Sequence, residues 1–210
     1  MRILNLYAGI GGNRKLWGDE HEITAVEIDS QLADVYRELY PRDNLQVFDA
    51  ETYFLTYYHN FDLIWISPPC QSHSMLNYVC ASKRLPDMRL YGFIFFCRHH
   101  LKTNWVIENV KPYYKPLIPP SVILGRHMFW SNFKIPDFPF QHRFSMEKGS
   151  KNKMAKRFQM ESALPLLGRM EPIKARQTMR NICDPEIGKY ILDCCLENGR
   201  REQKKLFESG

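Results

Sequence analysis

The sequence lacks the patterns that mark several common classes of protein. It contains no run of 18 apolar residues, and its first residues pass directly into polar turn residues, so neither a membrane span nor a signal peptide is expected. The six cysteines form no C-x-x-C pair, and no histidine stands beside them at metal-ligand spacing. Internal repeats and low-complexity segments are also missing. These absences predict a soluble, reduced protein that is cytoplasmic, or nuclear in a eukaryotic host, and that uses neither a membrane nor a metal ion.

The composition is that of one well-formed domain with a basic surface. The chain has 210 residues, of which 44% are hydrophobic, which suits a single domain with elaborated loops better than two domains. Its formal net charge of +6 favours an anionic partner. Nucleic acid is the leading candidate, although a solvated positive face gives the same charge balance.

The first structured segment is a strand followed by a glycine turn. Residues 3–7 are β-prone, and Ala-Gly-Ile-Gly-Gly follows at residues 8–12, before an amphipathic stretch through Leu16 and Trp17. This order predicts a strand, a tight turn and a helix whose amino terminus attracts negative groups. The glycines do not have the G-x-G-x-x-G spacing of dinucleotide binders, so no nicotinamide site is predicted.

Acidic residues follow the next two predicted strands. Glu27 and Asp29 stand at the end of a strand at residues 23–28, and Asp49 follows a strand at residues 45–48. An acid about 20 positions after a glycine turn is placed to accept hydrogen bonds from a ribose, and a third-strand acid suits an exocyclic amine. Ordinary exposed strand-end carboxylates are the alternative. The order of glycine turn, acid and acid predicts an adenosyl site.

A cysteine and a glutamate follow two further strands. Residues 61–66 form an apolar run that ends before two prolines and Cys70, so the cysteine is presented from a stiff loop. A buried packing cysteine is the alternative interpretation. Residues 104–108 form a fifth strand that ends at Glu108. If the two strands are parallel neighbours, a nucleophile and a carboxyl converge in one crevice.

The second half of the chain is less regular in sequence. Predicted helices cover residues 31–40, 88–101 and 186–196, residues 126–133 form a strand, and residues 71–86 form a loop over the substrate. Residues 136–157 are predicted to form a second loop, which ends in a basic run. The run either contacts nucleic acid or forms a solvated face; its residues are Lys148, Lys151, Lys153, Lys156 and Arg157.

Taken in order, these motifs resemble the cytosine carbon-5 DNA methyltransferase family from residue 4 to about residue 192. The resemblance rests on Leu-Tyr-Ala-Gly-Ile-Gly-Gly at 6–12, Val-Glu-Ile-Asp at 26–29, Ser-Pro-Pro-Cys-Gln at 67–71, Ile-Glu-Asn-Val at 107–110 and Gln-Thr-Met-Arg-Asn at 177–181. It implies a Rossmann-like S-adenosylmethionine-dependent methyltransferase fold, a mostly parallel twisted sheet with helices on both faces. The implied cofactor is S-adenosylmethionine, with S-adenosylhomocysteine as product, and the implied substrate is a flipped cytosine in double-stranded DNA.

The resemblance also assigns roles to individual residues. The catalytic residues are Cys70, which adds to carbon 6 of cytosine, Glu108, which neutralises charge at ring nitrogen 3, and Arg126, which holds the base oxygen and steadies the thiolate. The expected cofactor-binding residues are Tyr7, Ala8, Gly9, Ile10, Gly12, Glu27, Ile28, Asp49, Ala50, Pro69, Asn181 and Ile182. The expected substrate-binding residues are Gln71, Ser72, Ser74, Asn109, Lys151, Lys153 and Arg157.

Several positions depart from the family pattern. Asn5 replaces a usual acid, Arg180 replaces a usual glycine, and the arginine motif is reduced to Leu-Gly-Arg-His-Met at 124–128. Only about 40 residues separate the strand around Trp130 from the last motif, too few for a separate recognition domain. This predicts a minimal, phage-like enzyme of a bacterial or phage-infected cell, with relaxed recognition or a partner protein that supplies it.

The expected organisation has four parts. Residues 1–135 form the catalytic and cofactor-binding domain, 136–172 a short recognition-like insertion, 173–197 a C-terminal helix that returns to the catalytic domain, and 198–210 a charged tail. Two other functions fit the same sequence. One is a tRNA cytosine carbon-5 methyltransferase, and the other is a non-catalytic DNA-binding or regulatory subunit, against which the presence of both Cys70 and Glu108 argues.

Overall fold

The apolar runs of the sequence form the strands of one seven-stranded sheet in a computed structural model. The structure describes residues 1–74, 85–138 and 151–208, with side chains as far as residue 199. The strands are β1 Arg2–Leu6, β2 Glu22–Val26, β3 Asn44–Gln46, β4 Leu63–Ile66, β5 Asn104–Val110, β6 Val122–Leu124 and β7 His127–Ser131. Five of them confirm the strands expected before residue 110, β7 lies within the expected strand at 126–133, and β6 was not predicted.

The strand order places several loops in one crevice. The order across the sheet is β3-β2-β1-β4-β5-β7-β6, in which β1 to β5 are parallel and β7 runs antiparallel to β5. Strands β2 and β3 are added on one side of β1, and the chain then crosses to the other side of β1 to form β4 and β5. The loops after β1 and β4 therefore diverge and leave a crevice at the carboxyl ends of these two strands. Because β7 is antiparallel, its first residue, His127, lies opposite Val110 at that same edge.

Helices cover both faces of the sheet, which confirms the predicted fold class. The helices are α1 Ser30–Leu39, α2 Ala50–Tyr57, α3 Arg89–His100, α4 Lys151–Arg157, α5 Leu164–Leu167, α6 Pro172–Asn181 and α7 Pro185–Glu208. One face carries α7, whose Ile187 and Ile191 pack on Trp65 and Phe129. The opposite face carries α2 and α3 around Phe54. None of the helices in the described ranges is long and apolar enough to cross a membrane.

A cluster of helices occupies the stretch that was expected to be a recognition insertion. Helices α4, α5 and α6 bury apolar side chains such as Phe158 and Leu167 against Ile10 and against Val35 of α1. Arg169 adds an ion pair with Glu38, also on α1, at 2.7 Å. This stretch therefore packs on the side of the crevice formed by the glycine turn and α1.

Three local predictions were wrong. Residues 8–18 form successive turns instead of a helix, with the Lys15 and Trp17 N–H groups bonded to carbonyls three residues earlier. The basic run from Lys151 is helix α4, because Ala155 in its middle is a buried core residue. The last helix continues to Glu208 and so includes most of the expected tail. Lys148 and most of the predicted loop at 71–86 lie outside the described residues.

Candidate active site

The glycine turn after β1 is held in shape by a buried glutamate. Tyr7, Gly9 and Gly11 have positive φ angles of 57°, 56° and 75°, which reverse the chain within a few residues. The Gly9 N–H donates to Glu27 Oε2 at 2.8 Å, and the Asp29 N–H donates to Oε1 at 2.9 Å. Burial raises the pKa of Glu27. Each carboxylate oxygen keeps a second lone pair, so Glu27 can still accept hydrogen bonds from a ribose.

The ends of β2 and β3 present apolar surface beside a carboxylate. Ile28 is 64% exposed and Phe48 is 48% exposed, which is unusual for large apolar side chains at the ends of buried strands. Asp49 caps α2: its Oδ1 accepts hydrogen bonds from the Thr52 N–H and hydroxyl at 2.8 and 2.7 Å. This capping accounts for one Asp49 oxygen and leaves the other to accept from an amine. The carboxylates and apolar faces fit an adenosine.

The chain returns from α6 to close the glycine turn. A Cβ on Gly12 would lie 2.2 Å from Ile182 Cγ2 and 2.8 Å from the Cys183 carbonyl oxygen, so these backbones are in close contact. Lys174 of α6 also pairs with Asp29 Oδ2 at 2.6 Å. The predicted return of the last motif to the glycine turn is thus a direct packing contact. Asn181 beside it is exposed.

The predicted cofactor residues divide by exposure. Tyr7, Ile28, Asp49, Pro69 and Asn181 have side chains that are exposed or half-buried. The apolar members among the others are buried: Ala8, Ile10, Gly12, Ala50 and Ile182.

The loop that carries Cys70 is tied to β5 at its start. The Asn109 amide donates to the Pro68 carbonyl at 3.0 Å, and its oxygen accepts from the Val110 N–H. Asn109 is only 2% exposed and positions the loop, and its contact with substrate stays a prediction. Beyond the cysteine, the His73 and Ser74 N–H groups both donate to the Cys70 carbonyl at 3.0 Å.

His73 anchors the far end of that loop. Its imidazole is 1% exposed, and Nδ1 lies 2.5 Å from the Tyr114 hydroxyl, which also contacts the Tyr91 hydroxyl at 3.3 Å. Of the predicted substrate residues here, Gln71 is exposed, whereas the Ser72 hydroxyl accepts a hydrogen bond from the Asp87 N–H at 3.0 Å. Ser74 forms an isolated bridge with Pro112. The cysteine loop is therefore fixed on both sides of Cys70.

Glu108 is buried near the carboxyl end of β5, and its charge acts on the Cys70 thiol. It is 7% exposed, its Oε2 accepts from the Ser67 hydroxyl at 2.8 Å, and its Oε1 lies 3.3 Å from His127 Nε2. Burial raises the pKa of Glu108 to about 6, against the opposing effects of Ser67 and Arg126. Burial also raises the pKa of the Cys70 thiol, and the nearby charge of Glu108 raises it further. The predicted nucleophile and carboxyl thus share one crevice.

Arg126 was expected at the start of a strand. It lies instead in the turn between β6 and β7, one residue before β7 begins. Its Nη2 donates to the Ile182 carbonyl at 3.1 Å and to the Arg180 carbonyl. Part of the guanidinium therefore holds the closing segment, residues 180–184, which returns from α6 to the glycine turn. Its charge nevertheless acts on both Glu108 and Cys70, and it lowers the pKa of the thiol against the effect of burial. Arg126 therefore holds the closing segment while its charge acts on Cys70 and Glu108.

Two further buried groups, His127 and Cys183, lie beside Glu108. The ligand-type atoms of Glu108, His127 and Cys183 lie within 4.8 Å of one another, and all three residues are buried. Arg126 acts electrostatically on each of the three, and a guanidinium beside them disfavours a divalent cation.

The basic residues of α4 approach the crevice at one end. Lys153 and Arg157 are exposed and Lys151 is half-buried. The charge of Arg157 acts on Arg126 and on Asp184, which places the carboxyl end of α4 beside the closing segment. The Arg157 guanidinium also lies over the Phe158 ring, 5.5 Å from its centroid, which is a cation–π distance.

Comparison with protein families identifies the first half of the chain. The family model for C-5 cytosine-specific DNA methylases matches residues 1–112, which include the glycine turn, Cys70 and Glu108. The chain belongs to this family. The match ends before Arg126 and the closing segment, so the methylase motifs in the second half of the chain rest on the sequence and structure alone. Members of the C-5 methylase family use S-adenosylmethionine, and the sheet described above is that of S-adenosylmethionine-dependent methyltransferases.

Solved structures similar to this C-5 methylase include three methyltransferases. A Spodoptera frugiperda DNMT2 mutant is 24% identical, with 69% of this chain and 53% of that chain covered and a TM-score of 0.44. A putative DNA modification methyltransferase encoded within an E. coli prophage is 22% identical, with 55% and 33% covered and a TM-score of 0.38. Entamoeba histolytica EhMeth is 20% identical, with 52% and 38% covered and a TM-score of 0.39. The match thus spans about half of the first structure's length and less of the others. No curated protein sequence gives a significant match.

Proposed function

We propose that this chain is a DNA cytosine carbon-5 methyltransferase that uses S-adenosylmethionine. The observation that carries the proposal is the 2.8 Å hydrogen bond from the hydroxyl of Ser67, three residues before Cys70, to Glu108 Oε2, which joins the start of the cysteine loop to the carboxyl at one edge of the sheet. The charge of Glu108 also raises the pKa of the Cys70 thiol. Membership of the C-5 cytosine-specific DNA methylase family points to the same chemistry.

In the proposed reaction, Cys70 supplies the nucleophile. Carbon 5 of cytosine is a weak nucleophile, and addition of the Cys70 thiolate to carbon 6 makes it an enamine carbon that can take a methyl group. Glu108 protonates or hydrogen-bonds ring nitrogen 3, which neutralises the charge that develops there. Once the methyl group is on carbon 5, with S-adenosylhomocysteine as the leaving group, the carbon-5 proton passes to solvent and the proton on ring nitrogen 3 returns to Glu108. The bond between carbon 6 and sulfur then breaks, which releases the Cys70 thiolate and restores the aromatic ring. Arg126 favours the thiolate through its charge.

The residues around the glycine turn fit the adenosyl part of the cofactor. Glu27 would accept hydrogen bonds from the ribose, Asp49 from the exocyclic amine, and Ile28 would cover a face of the adenine ring. When bound, S-adenosylmethionine supplies an activated methyl group. Ile182 closes the turn by packing on Gly12 and so excludes water from this end of the crevice.

The proposed substrate is duplex DNA with its target base flipped into the crevice. Lys151, Lys153 and Arg157 would contact phosphates, and Gln71 and Ser72 lie beside Cys70 where a base would enter. Helices α4 to α6 pack on α1 and the glycine turn, which leaves little of the chain's described part to read base edges. We therefore include in the proposal a partner protein that supplies sequence recognition, or a short recognition sequence.

Methyl transfer to mixed-sequence duplex DNA tests the proposal directly. Wild-type protein should transfer labelled methyl from S-adenosylmethionine to cytosine carbon 5 and should form a covalent complex with DNA that contains 5-fluorocytosine. Cys70→Ala should lose at least about a thousandfold in rate while still binding cofactor, because the covalent route is gone. Cys194→Ala is the matched control, since Cys194 is a free cysteine on α7.

Two outcomes would overturn the proposal. One is a wild-type protein that binds cofactor but puts no methyl on cytosine in any duplex and forms no adduct. The other is transfer to tRNA alone, which would replace DNA by RNA as the substrate. An equal loss of activity in Cys70→Ala and Cys194→Ala would remove Cys70 from its proposed role.

A further inference from the structure

His127 is a buried histidine next to the proposed reactive carboxyl. It is 2% exposed and begins β7 opposite Val110, while Glu108, two residues earlier on β5, lies opposite Phe129. Side chains two apart on a strand share a face, so His127 and Glu108 project to the same side of the sheet. His127 Nε2 lies 3.3 Å from Glu108 Oε1, slightly beyond the usual range for an N–H···O bond. Such contacts are often long before substrate binds.

The other oxygen of Glu108 has a donor whose direction is fixed. The Trp65 indole N–H donates to Ser67 Oγ at 2.9 Å, so the Ser67 hydroxyl proton is directed toward Glu108 Oε2, 2.8 Å away. An indole nitrogen can only donate, which excludes the reverse direction. One oxygen of the carboxyl therefore already accepts a hydrogen bond, and His127 faces the other.

The surroundings of His127 favour a neutral ring with its proton on Nε2. The groups that face it are Glu108 from β5, Arg126 from the turn before β7 and Cys183 from the segment after α6. Burial and the charge of Arg126 hold the pKa of His127 well below its usual value. Nδ1 is buried and has no hydrogen-bond partner among the described residues. A buried unpaired acceptor is more common than a buried unpaired N–H, which favours the proton on Nε2.

We propose that His127 is a positioning residue for Glu108: its Nε2–H donates to Oε1 while Ser67 donates to Oε2, so the carboxyl presents its remaining lone pairs to ring nitrogen 3 of the base. The part of this inference that concerns the base rests on the proposed function. The arrangement of His127, Glu108 and Ser67 does not depend on it.

Two variants separate hydrogen bonding from simple packing. His127→Gln keeps an N–H donor near the position of Nε2, whereas His127→Phe keeps a flat ring without a donor. Loss of the donor should lower kcat roughly tenfold to a hundredfold with little change in KM for S-adenosylmethionine, because the carboxyl loses its orientation. It should also move the alkaline limb of the kcat profile to higher pH, since the carboxylate loses a donor that stabilises it. His127→Gln should stay close to wild type in both respects.

Nitrogen NMR of imidazole-labelled protein provides a readout that needs no activity. The His127 signal, identified by its absence from His127→Gln, should show a neutral ring protonated on Nε2 near neutral pH, and it should shift in Glu108→Gln. A ring protonated on Nδ1, or a signal unaffected by Glu108→Gln, would overturn the inference. So would a His127→Phe enzyme with the wild-type pH profile, or a His127→Gln enzyme no better than His127→Phe. If wild-type protein transfers no methyl group, the proposed function fails, and the NMR result still decides the role of His127.

Discussion

At the scale of single residues, burial has the largest effect on both proposed reactive groups. It raises the pKa of the Cys70 thiol and raises that of Glu108 to about 6. Arg126 opposes both shifts, and Ser67 opposes that of Glu108. The uncharged forms of both groups are therefore favoured relative to the same groups in water, and their charged forms depend on a few named neighbours.

The raised pKa of Glu108 predicts how stability depends on pH. The carboxyl binds its proton more tightly in the folded chain than in the unfolded chain, where its pKa is near 4.5. This tighter proton binding favours the folded chain most below about pH 4.5. The advantage is lost as the pH rises through 6, which lowers the free energy of unfolding by about 2 kcal/mol in total. Glu108→Gln should be more stable than wild type by up to about this amount at pH 8 and by little at pH 4.5.

Denaturant unfolding of both proteins at the two pH values measures this difference. Glu171→Gln is the control, because Glu171 is exposed and makes no capping bond at the start of α6. A Glu108→Gln difference that stays constant between the two pH values would contradict the prediction.

Other residues of the site were missed by sequence reasoning for a physical reason. Ser67, His127 and Cys183 come together only through the pairing of β4, β5 and β7 and the return of the chain after α6. Strand register and tertiary return are non-local, so no short pattern reveals them. Two signals were available: Ser67 begins the Ser-Pro-Pro-Cys-Gln motif, and His127 stands beside Arg126 at the start of a predicted strand.

At the scale of elements, the ends of the strands are what the sequence defines best. Apolar runs that stop at Glu27, Asp49, Cys70 or Glu108 mark the carboxyl ends of parallel strands, where a crevice forms. The helix expected after the glycine turn was wrong because residues 8–18 must turn repeatedly to pass beneath α7. Asn13 there contacts Gly188 closely, and the Trp17 indole donates to the Gly188 carbonyl at 3.1 Å. A tertiary contact thus overrides an amphipathic pattern.

The surroundings of Gly12 and Gly92 predict opposite effects of substitution by alanine. Gly12→Ala places a Cβ against Ile182 and the Cys183 carbonyl, so it should destabilise the protein by about 1–3 kcal/mol and weaken cofactor binding. Gly92→Ala in α3 meets no atom within 4 Å and should stabilise by about 0.5–1 kcal/mol, because alanine is the better helix former. Denaturant unfolding and calorimetric titration of S-adenosylmethionine measure both variants. Equal effects of the two substitutions would argue against a tight contact between Gly12 and Ile182.

At the scale of the whole molecule, the net charge of +6 and the position of α4 together suit a polyanion. The basic end of α4 lies near the closing segment, beside the crevice. Lys102 and Lys134 lie at the opposite edge of the sheet. Lys102 precedes the amino end of β5, and Lys134 follows the carboxyl end of the antiparallel β7. Variants that lose two lysines at one edge or at the other can therefore be compared at the same net charge.

This comparison predicts the salt dependence of DNA binding. Replacing Lys153 and Lys156 by Gln should reduce the slope of log affinity against log salt by up to about 0.9 for each phosphate that the protein no longer neutralises. The control replaces Lys102 and Lys134 by Gln, which removes the same charge and should leave the slope nearly unchanged. Affinity measured over a salt series on one duplex gives both slopes. Equal changes in the two double variants would show that net charge, and not α4, governs binding.

The contact between Gly12 and Ile182 has a consequence for biosynthesis. Translation delivers the glycine turn well before the segment that covers it, which leaves the ribosome only after all seven described strands have been made. Cys70 and Glu108 thus exist in the nascent chain before the contact between Gly12 and Ile182 can form. Completion of the proposed site is therefore a late step in the synthesis of this stretch, and a chain interrupted ahead of Ile182 carries both side chains without the segment that packs on the glycine turn.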